Sequence, residues 1–133
     1  MKIYIAARFK KKKLVQNIQK KLEKVGYSIS YDWTKHKPIK PYNKHQKTAA
    51  KYSENELIGI SDCDVFIYIS DEGGTTLPME FGAALILAKN TGKPLIYVVG
   101  KYNDKSPWFF NPRVIRKGSI DEVIDELENN DRR

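Results

Sequence analysis

Residues 64–100, DVFIYISDEGGTTLPMEFGAALILAKNTGKPLIYVVG, read as strand, loop, helix, turn and strand. Val65 to Ile69 is a β-branched and aromatic run of the kind that forms a strand buried on both faces. The loop Ser70 to Thr76 contains Gly73 and Gly74, which let a backbone turn sharply and approach a ligand closely. Leu77 to Ala88 then reads as an apolar helix with Pro78 near its start, where a missing N–H costs nothing. This reading puts Glu80 in the first turn of a helix that is otherwise nearly all hydrophobic. A carboxylate there complements the positive end of the helix dipole and caps free N–H groups. It also stands behind a Gly-rich loop at the carboxyl edge of a strand, where open α/β sheets bind ligands. Gly73, Gly74, Gly82, Ala83 and Ala84 leave room for a substrate beside it.

Working outward toward the N-terminus, Met1 to Ala7 reads as a first strand with Ile3 and Ile5 on one face and Tyr4 and Ala6 on the other. Lys11 to Val25 follows as a helix with Leu14, Ile18, Leu22 and Val25 at helical spacing, stopped by Gly26. Tyr27 to Tyr31 is a second strand, so the crossover is parallel and right-handed. The segment Asp32 to Tyr42 is long and proline-broken, the kind of loop that is functional or mobile. In it Trp33 either plugs the core or covers a base. His36 and His45, nine residues apart with no cysteine partner, form no standard metal site, and no metal or cofactor is expected. Tyr42 to Ser61 reads as a second helix with Ala49, Ala50, Leu57 and Ile60 buried; it carries Glu54 and Glu56.

Toward the C-terminus, Lys93 to Gly100 is a fourth strand. A polar loop with Trp108, Asn111 and Pro112 leads to a short edge strand, Arg113 to Arg116. Ser119 caps a last helix, Ile120 to Glu128, with Glu122 at the capping-box position. One domain, residues 1–128, is expected, with 129–133 as a frayed tail. Five strands alternating with four helices imply a three-layer α/β sandwich of flavodoxin-like (Rossmann-like) type, strand order 2-1-3-4-5, with its crevice at the carboxyl ends of strands 1 and 3. That order gathers Ala6, Ala7, Arg8, the 70–76 loop and Glu80 around one hollow.

The chain of 133 residues suits one core. Its single cysteine, Cys63, excludes an internal disulfide framework and fits a reducing cytoplasm, the expected location. No run approaches the ~20 apolar residues of a membrane span, and no secretory leader pattern opens the chain. A net charge of +8 favours anionic ligands. Lys10 to Lys13, Lys20, Lys21 and Lys24 read as the solvated face of the first helix. Without a reading motif or interleaved exposed aromatics, nucleic acid is not the expected partner.

The ordered set Ile3-Tyr4-Ile5-Ala6-Ala7, a Glu-Leu pair before Asp62-Cys63-Asp64-Val65-Phe66-Ile67, Gly74-Thr75, Met79-Glu80-Phe81-Gly82-Ala83-Ala84 and Gly92-Lys93-Pro94 resembles the nucleoside 2-deoxyribosyltransferase superfamily. That superfamily includes the 2′-deoxynucleoside 5′-phosphate N-hydrolases, and the resemblance spans residues 2–100. It implies that Glu80 is the nucleophile and that Tyr4 positions its carboxylate. It also implies that Glu56 stands where the family has an acid or sugar-orienting aspartate, one methylene shorter. The transferases carry an acidic residue where this chain has Gly74, and Asp71 is the candidate substitute. Arg8 is the nearest match to the hydrolases' phosphate-binding arginine, with Lys10, Ser70, Thr75 and Thr76 in support. Ala6, Asp32, Trp33, Gly73, Gly74 and Met79 complete the candidate substrate contacts.

The implied chemistry is displacement at the anomeric carbon, with a glycosyl ester on Glu80 resolved by water or by a second base. Hydrolysis of a nucleoside 5′-monophosphate, 2′-deoxy by the resemblance, is preferred over base exchange. A non-catalytic nucleotide-binding module, or one handling NAD in the manner of Toll/interleukin-receptor-like domains, is the other class of reading. The superfamily also implies a homodimer, here through the second and third helices, with Pro107-Trp108-Phe109-Phe110 either a contact or part of the core.

Overall fold

The five apolar runs pair into one parallel sheet. The computed structural model describes residues 1–131 and contains β1 (Lys2–Ala6), α1 (Lys12–Lys24), β2 (Ser28–Ile29), α2 (Gln46–Asp62), β3 (Val65–Ile69), α3 (Thr76–Thr91), β4 (Leu95–Val99), β5 (Val114–Lys117) and α4 (Ile120–Asp131). The strand order is β2-β1-β3-β4-β5, and every neighbouring pair is parallel. This is the flavodoxin-like α/β sandwich, helices on both sides of the sheet.

Strand alternation sorts the side chains between the two helical layers. Tyr4, Phe66 and Tyr68 face α2 and α3: Tyr4 stacks on Phe66 with ring centroids 5.8 Å apart, and Tyr68 meets Phe81 of α3 edge-on at 5.5 Å. The row Ile5, Ile67, Tyr97, aligned by register, faces α1 and α4. There Tyr97 Oη donates to Glu126 Oε2 at 2.6 Å, and Lys21 and Asp121 tie α1 to α4 at 3.6 Å. Ile3, Tyr4, Phe66, Ile67 and Ile96 are all fully buried, each large apolar side chain contributing ~1.5–3 kcal/mol of transfer free energy.

Several boundaries and faces differ from the sequence-based expectation. A 3₁₀ turn, Phe9–Lys11, precedes α1, and the buried stripe is Val15, Ile18, Gln19 and Leu22, while Leu14 and Val25 are exposed. The second strand has two residues rather than five, because the chain after it leaves the sheet edge for a 3₁₀ turn at Trp33–Lys35. α2 starts at Gln46, after a separate 3₁₀ turn at Tyr42–Lys44. Only Gly59 and Ile60 of α2 are buried; Ala50 and Leu57 are exposed and Ala49 only partly covered. α4 continues through Asp131 instead of fraying at Asn129; Arg132 and Arg133 lie outside the described residues. Ser119 caps α4 as expected, its Oγ accepting from Glu122 N–H at 3.4 Å, while Glu122 Oε2 accepts from Gly118 N–H at 3.1 Å rather than from Ser119 N–H.

α3 begins at Thr76, so Glu80 is its fifth residue and no acidic residue occupies the first turn. The dipole and capping account of Glu80 therefore loses its basis, since both effects fade within that turn. What holds the carboxylate must lie across the sheet.

Candidate active site

Tyr4 supplies that partner. It is fully buried on β1, and its Oη donates to Glu80 Oε2 at 2.8 Å, the reach expected of a phenol that fixes a carboxylate. The contact forms because Tyr4 points to the α3 face and the helix crosses above it. Burial first, and the Glu80 and Glu56 charges next, keep the phenol protonated by raising its pKa well above the usual tyrosine value. It is a permanent donor at neutral pH.

Glu80 is partly buried. Burial, reinforced by the charge of Glu56, pushes its pKa up to about 8, against the lowering effect of the Tyr4 bond. Glu56, from α2, is pushed up to about 7 by burial. Two interacting carboxyls raised in this way release their first proton as a pair. The Tyr4 phenol, which bonds Glu80 alone, opposes but does not outweigh the burial that favours the protonated form of Glu80. An acid and a nucleophile need one proton shared between two such carboxyls.

Close approach of α2 to β1 brings Glu56 into this pairing. A Cβ at Gly59 would lie 2.5 Å from Tyr31 Cβ and 3.1 Å from Tyr4 Cδ2, so only glycine lets the helix sit this near. On the face of α2 that carries Glu56, one turn earlier, stands Tyr52. Tyr52 stacks on the His36 ring at 3.7 Å and 4°. His36 Nδ1 lies 3.7 Å from Glu56 Oε1, and its Nε2 is 2.6 Å from Tyr31 Oη. Sequence reasoning weighed His36 only as a metal ligand and missed Tyr31, Tyr52 and Asn55. The available signal was the spacing Tyr52, Asn55, Glu56, Gly59, which places four non-aliphatic residues on one side of a helix.

The Gly-rich loop forms the other end of the site. Arg8, just past β1, lies across it: a Cβ on Gly73 would meet Arg8 Nη1 at 3.0 Å, and one on Gly74, at φ +104°, would meet Arg8 Cγ at 3.3 Å. Asp71 is 3.7 Å from Arg8 Nη1, and its Oδ2 is 3.1 Å from Lys11 Nζ, an ion pair rather than an aligned hydrogen bond. Burial alone would raise the Asp71 pKa. The Lys11 ammonium, the Gly73 N–H and the Lys10 charge together outweigh it and hold the group below the usual carboxylate range. Asp71 is thus a fixed anion that orients two cations, and of the two candidate second carboxyls only Glu56 has a raised pKa.

The remaining candidates are placed as follows. Ala6 ends β1 fully buried. Ser70 is buried and its Oγ accepts from Tyr102 N–H at 3.2 Å, pointing to the β4 side rather than toward Glu80. Asp32 caps the 3₁₀ turn, accepting from Thr34 N–H at 3.0 Å and Gln19 Nε2 at 3.1 Å. Trp33 is a core plug, 4% exposed, its indole N–H donating to Ile5 O at 2.6 Å. Thr75 is the N-cap residue of α3 but makes no side-chain cap bond; Thr76 is exposed, as is Met79, at 72%. Gly82 lines, with Leu85, Ile86, Trp108 and Phe110, a separate apolar groove of about 630 Å³ between α3 and the segment before β5. Trp108 and Phe110 are exposed, while Phe109 is buried in the core. Among the described residues no three of His, Cys, Asp and Glu gather as a metal centre, and no helix is long and apolar enough to cross a membrane.

No protein-family model matches the sequence, and no curated protein matches it. Among solved structures the chain is similar to the CMP N-glycosidase BcmB of Clostridium botulinum, with a TM-score of 0.62 and 15% sequence identity over 98% of this chain and 99% of that one. At that identity the two proteins share a fold along nearly their whole lengths.

Proposed function

We propose that this protein cleaves the N-glycosidic bond of a nucleoside 5′-monophosphate through a glycosyl ester on Glu80. The observation that carries the reading is the 2.8 Å bond from Tyr4 Oη to Glu80 Oε2, beside a second carboxyl, Glu56, whose pKa burial raises to about 7. With Oε2 held by Tyr4, Oε1 attacks C1′ as the C–N bond breaks. The base leaves with the bonding electrons and takes the Glu56 proton. Water then attacks C1′, the ester bond breaks to restore the Glu80 carboxylate, and the water proton passes to Glu56. Atoms balance as nucleotide plus water giving free base plus sugar phosphate.

Arg8 and Lys11, aligned by Asp71 along the Gly73-Gly74 loop, are the seat for the 5′-phosphate, and loop N–H groups add to it. The fold shared with a CMP N-glycosidase supports a nucleotide as the substrate class. Water is the acceptor in this reading; base exchange would need a site that excludes water until the second base arrives.

The test is incubation with CMP, dCMP and their purine and uracil counterparts, with and without an added acceptor base, read by chromatography. Release of base by the wild type, lost by at least about a thousandfold in Glu80→Ala with the fold retained, is the expected result; nucleophile loss typically costs that much or more. A Glu80→Ala protein within a few-fold of wild type would remove the mechanism. Base transfer outpacing hydrolysis would reassign the reaction to exchange. Nucleotide-dependent thermal stabilisation with no base released would favour the binding-module reading.

A further inference from the structure

Glu56 has a histidine beside it as well as being partly buried. Its Oε1 lies 3.7 Å from His36 Nδ1, and the two side chains are 19% and 10% exposed. The imidazole has little freedom, because Tyr52 stacks flat on it at 3.7 Å and Tyr52 Oη accepts from Lys37 N–H at 3.2 Å. Its far nitrogen, Nε2, is 2.6 Å from Tyr31 Oη. Burial raises the Tyr31 pKa and Asn55, on α2, opposes this from beside the same phenol. At 2.6 Å the phenol donates its hydrogen to a neutral Nε2, the phenol being protonated at neutral pH. A neutral imidazole that accepts at Nε2 carries its proton on Nδ1, the nitrogen facing Glu56.

We infer that His36 is a positioning residue for Glu56: Tyr31 sets the Nδ1–H tautomer, and that N–H holds Glu56 Oε1 so that the other carboxyl oxygen presents the proton to the leaving base. The inference rests on the proposed glycosidase reading and names a residue on which that reading is silent. A glutamate carboxyl turns about several side-chain torsions, and the brace removes that freedom. When Glu56 has given its proton away, the Nδ1–H bonds the resulting carboxylate, which then recovers a proton from the attacking water. The 3.7 Å gap of the free protein shortens at that stage, as catalytic hydrogen bonds do on substrate binding. The titratable groups facing His36 are Tyr31 and Asp32 at the end of the β2 segment and Tyr52 and Glu56 from α2, with Glu80 and Tyr4 beyond Glu56. Burial first lowers the His36 pKa and the Asp32 charge opposes this, so the ring is neutral at pH 7.

Two measurements test it. Histidine-selective ¹⁵N NMR of the free protein at pH 7, with His45→Gln used for assignment, is expected to show His36 as the Nδ1–H tautomer. Tyr31→Phe should shift it toward Nε2–H. An Nε2–H tautomer in the wild type would overturn the inference without reference to any activity. In kinetics, His36→Gln should lower kcat on CMP by about ten- to a hundredfold, part of the roughly 10²–10⁴ that general acid catalysis supplies. On 4-nitrophenyl ribofuranoside 5′-phosphate, whose leaving group departs without a proton, the loss should be under about threefold. His36→Asn, which keeps an N–H near the Nδ1 position, should recover most of the CMP activity. Equal losses on both substrates, or His36→Asn as poor as His36→Gln, would make His36 merely structural. Failure of the Glu80 mechanism is distinguishable, since Glu80→Ala would then retain turnover on both substrates while the tautomer stayed as found.

Discussion

At the residue scale, the fold gives up stability to keep Glu80 buried beside Glu56. The folded-state pKa of Glu80 is pushed up from 4.5 to about 8, so between those values the folded protein binds more protons than the unfolded chain. Stability is then greatest below the unfolded pKa and falls as pH rises through the folded one. Glu80→Gln removes that titration while keeping an oxygen for Tyr4 to donate to. Its melting temperature should lie a few degrees above wild type at pH 8.5, with the gap closing near pH 5. An equal or lower value at pH 8.5, by differential scanning fluorimetry, would mean that the carboxylate is comfortably solvated. Destabilised groups of this kind mark functional sites more often than structural ones.

At the element scale, the distance between α2 and β1 sets the site. Gly59 sits where an added Cβ would be 2.5 Å from Tyr31 Cβ and 3.1 Å from a Tyr4 ring carbon, and Tyr31 Cβ is part of a stiff backbone-linked position that cannot swing aside. Gly59→Ala should therefore push α2 off the sheet and cost about 1–3 kcal/mol, the usual range for overpacking. Because Glu56 is three residues before Gly59 and Tyr4 is one of the atoms struck, base release should fall more than the stability loss explains. A Gly59→Ala protein with unchanged melting temperature and turnover would show that the helix is not pinned there. The Gly-rich loop works at the same scale, its backbone shaped around the Arg8 side chain rather than around Glu80.

At the scale of the whole molecule, two surfaces stand out. A net charge of +8 raises the local concentration of phosphorylated substrates and makes their capture depend on ionic strength. The second surface is apolar: Leu57 and Ile58 of α2, Met79 and Ile86 of α3, and Trp108 and Phe110 nearby are all 50% or more exposed. The homodimer proposed through α2 and α3 would cover these side chains. Light scattering should give a mass near twice the 15.4 kDa of the chain. Ile86→Glu, placing a charge in that band, should yield monomers with at least about tenfold weaker turnover, equivalent to ~1.4 kcal/mol. A wild type that is monomeric and fully active would remove the dimer from the mechanism.

The sequence by itself determined the α/β class and the strand order, because each rests on local, repeated signals. Apolar runs of strand length alternate with helical spacing, Gly26 and Gly92 stop helices, and parallel crossovers have one hand. It also singled out Glu80 and Tyr4, through a resemblance in ordered motifs. Tertiary structure decided what depends on pairs distant in sequence. Trp33 against Ile5 O made the indole a core plug, Tyr102 N–H claimed the Ser70 hydroxyl, and Lys11 and Arg8 turned Asp71 into a fixed anion. The stripe of α1 also moved from Leu14 and Val25 to Val15 and Gln19, since a 3₁₀ turn before the helix changes which face meets the sheet. His36 is the sharpest case. Nothing in the local chain links it to Glu56, twenty residues on. Only the packing of α2 against β1, permitted by Gly59, brings imidazole, phenol and carboxyl together.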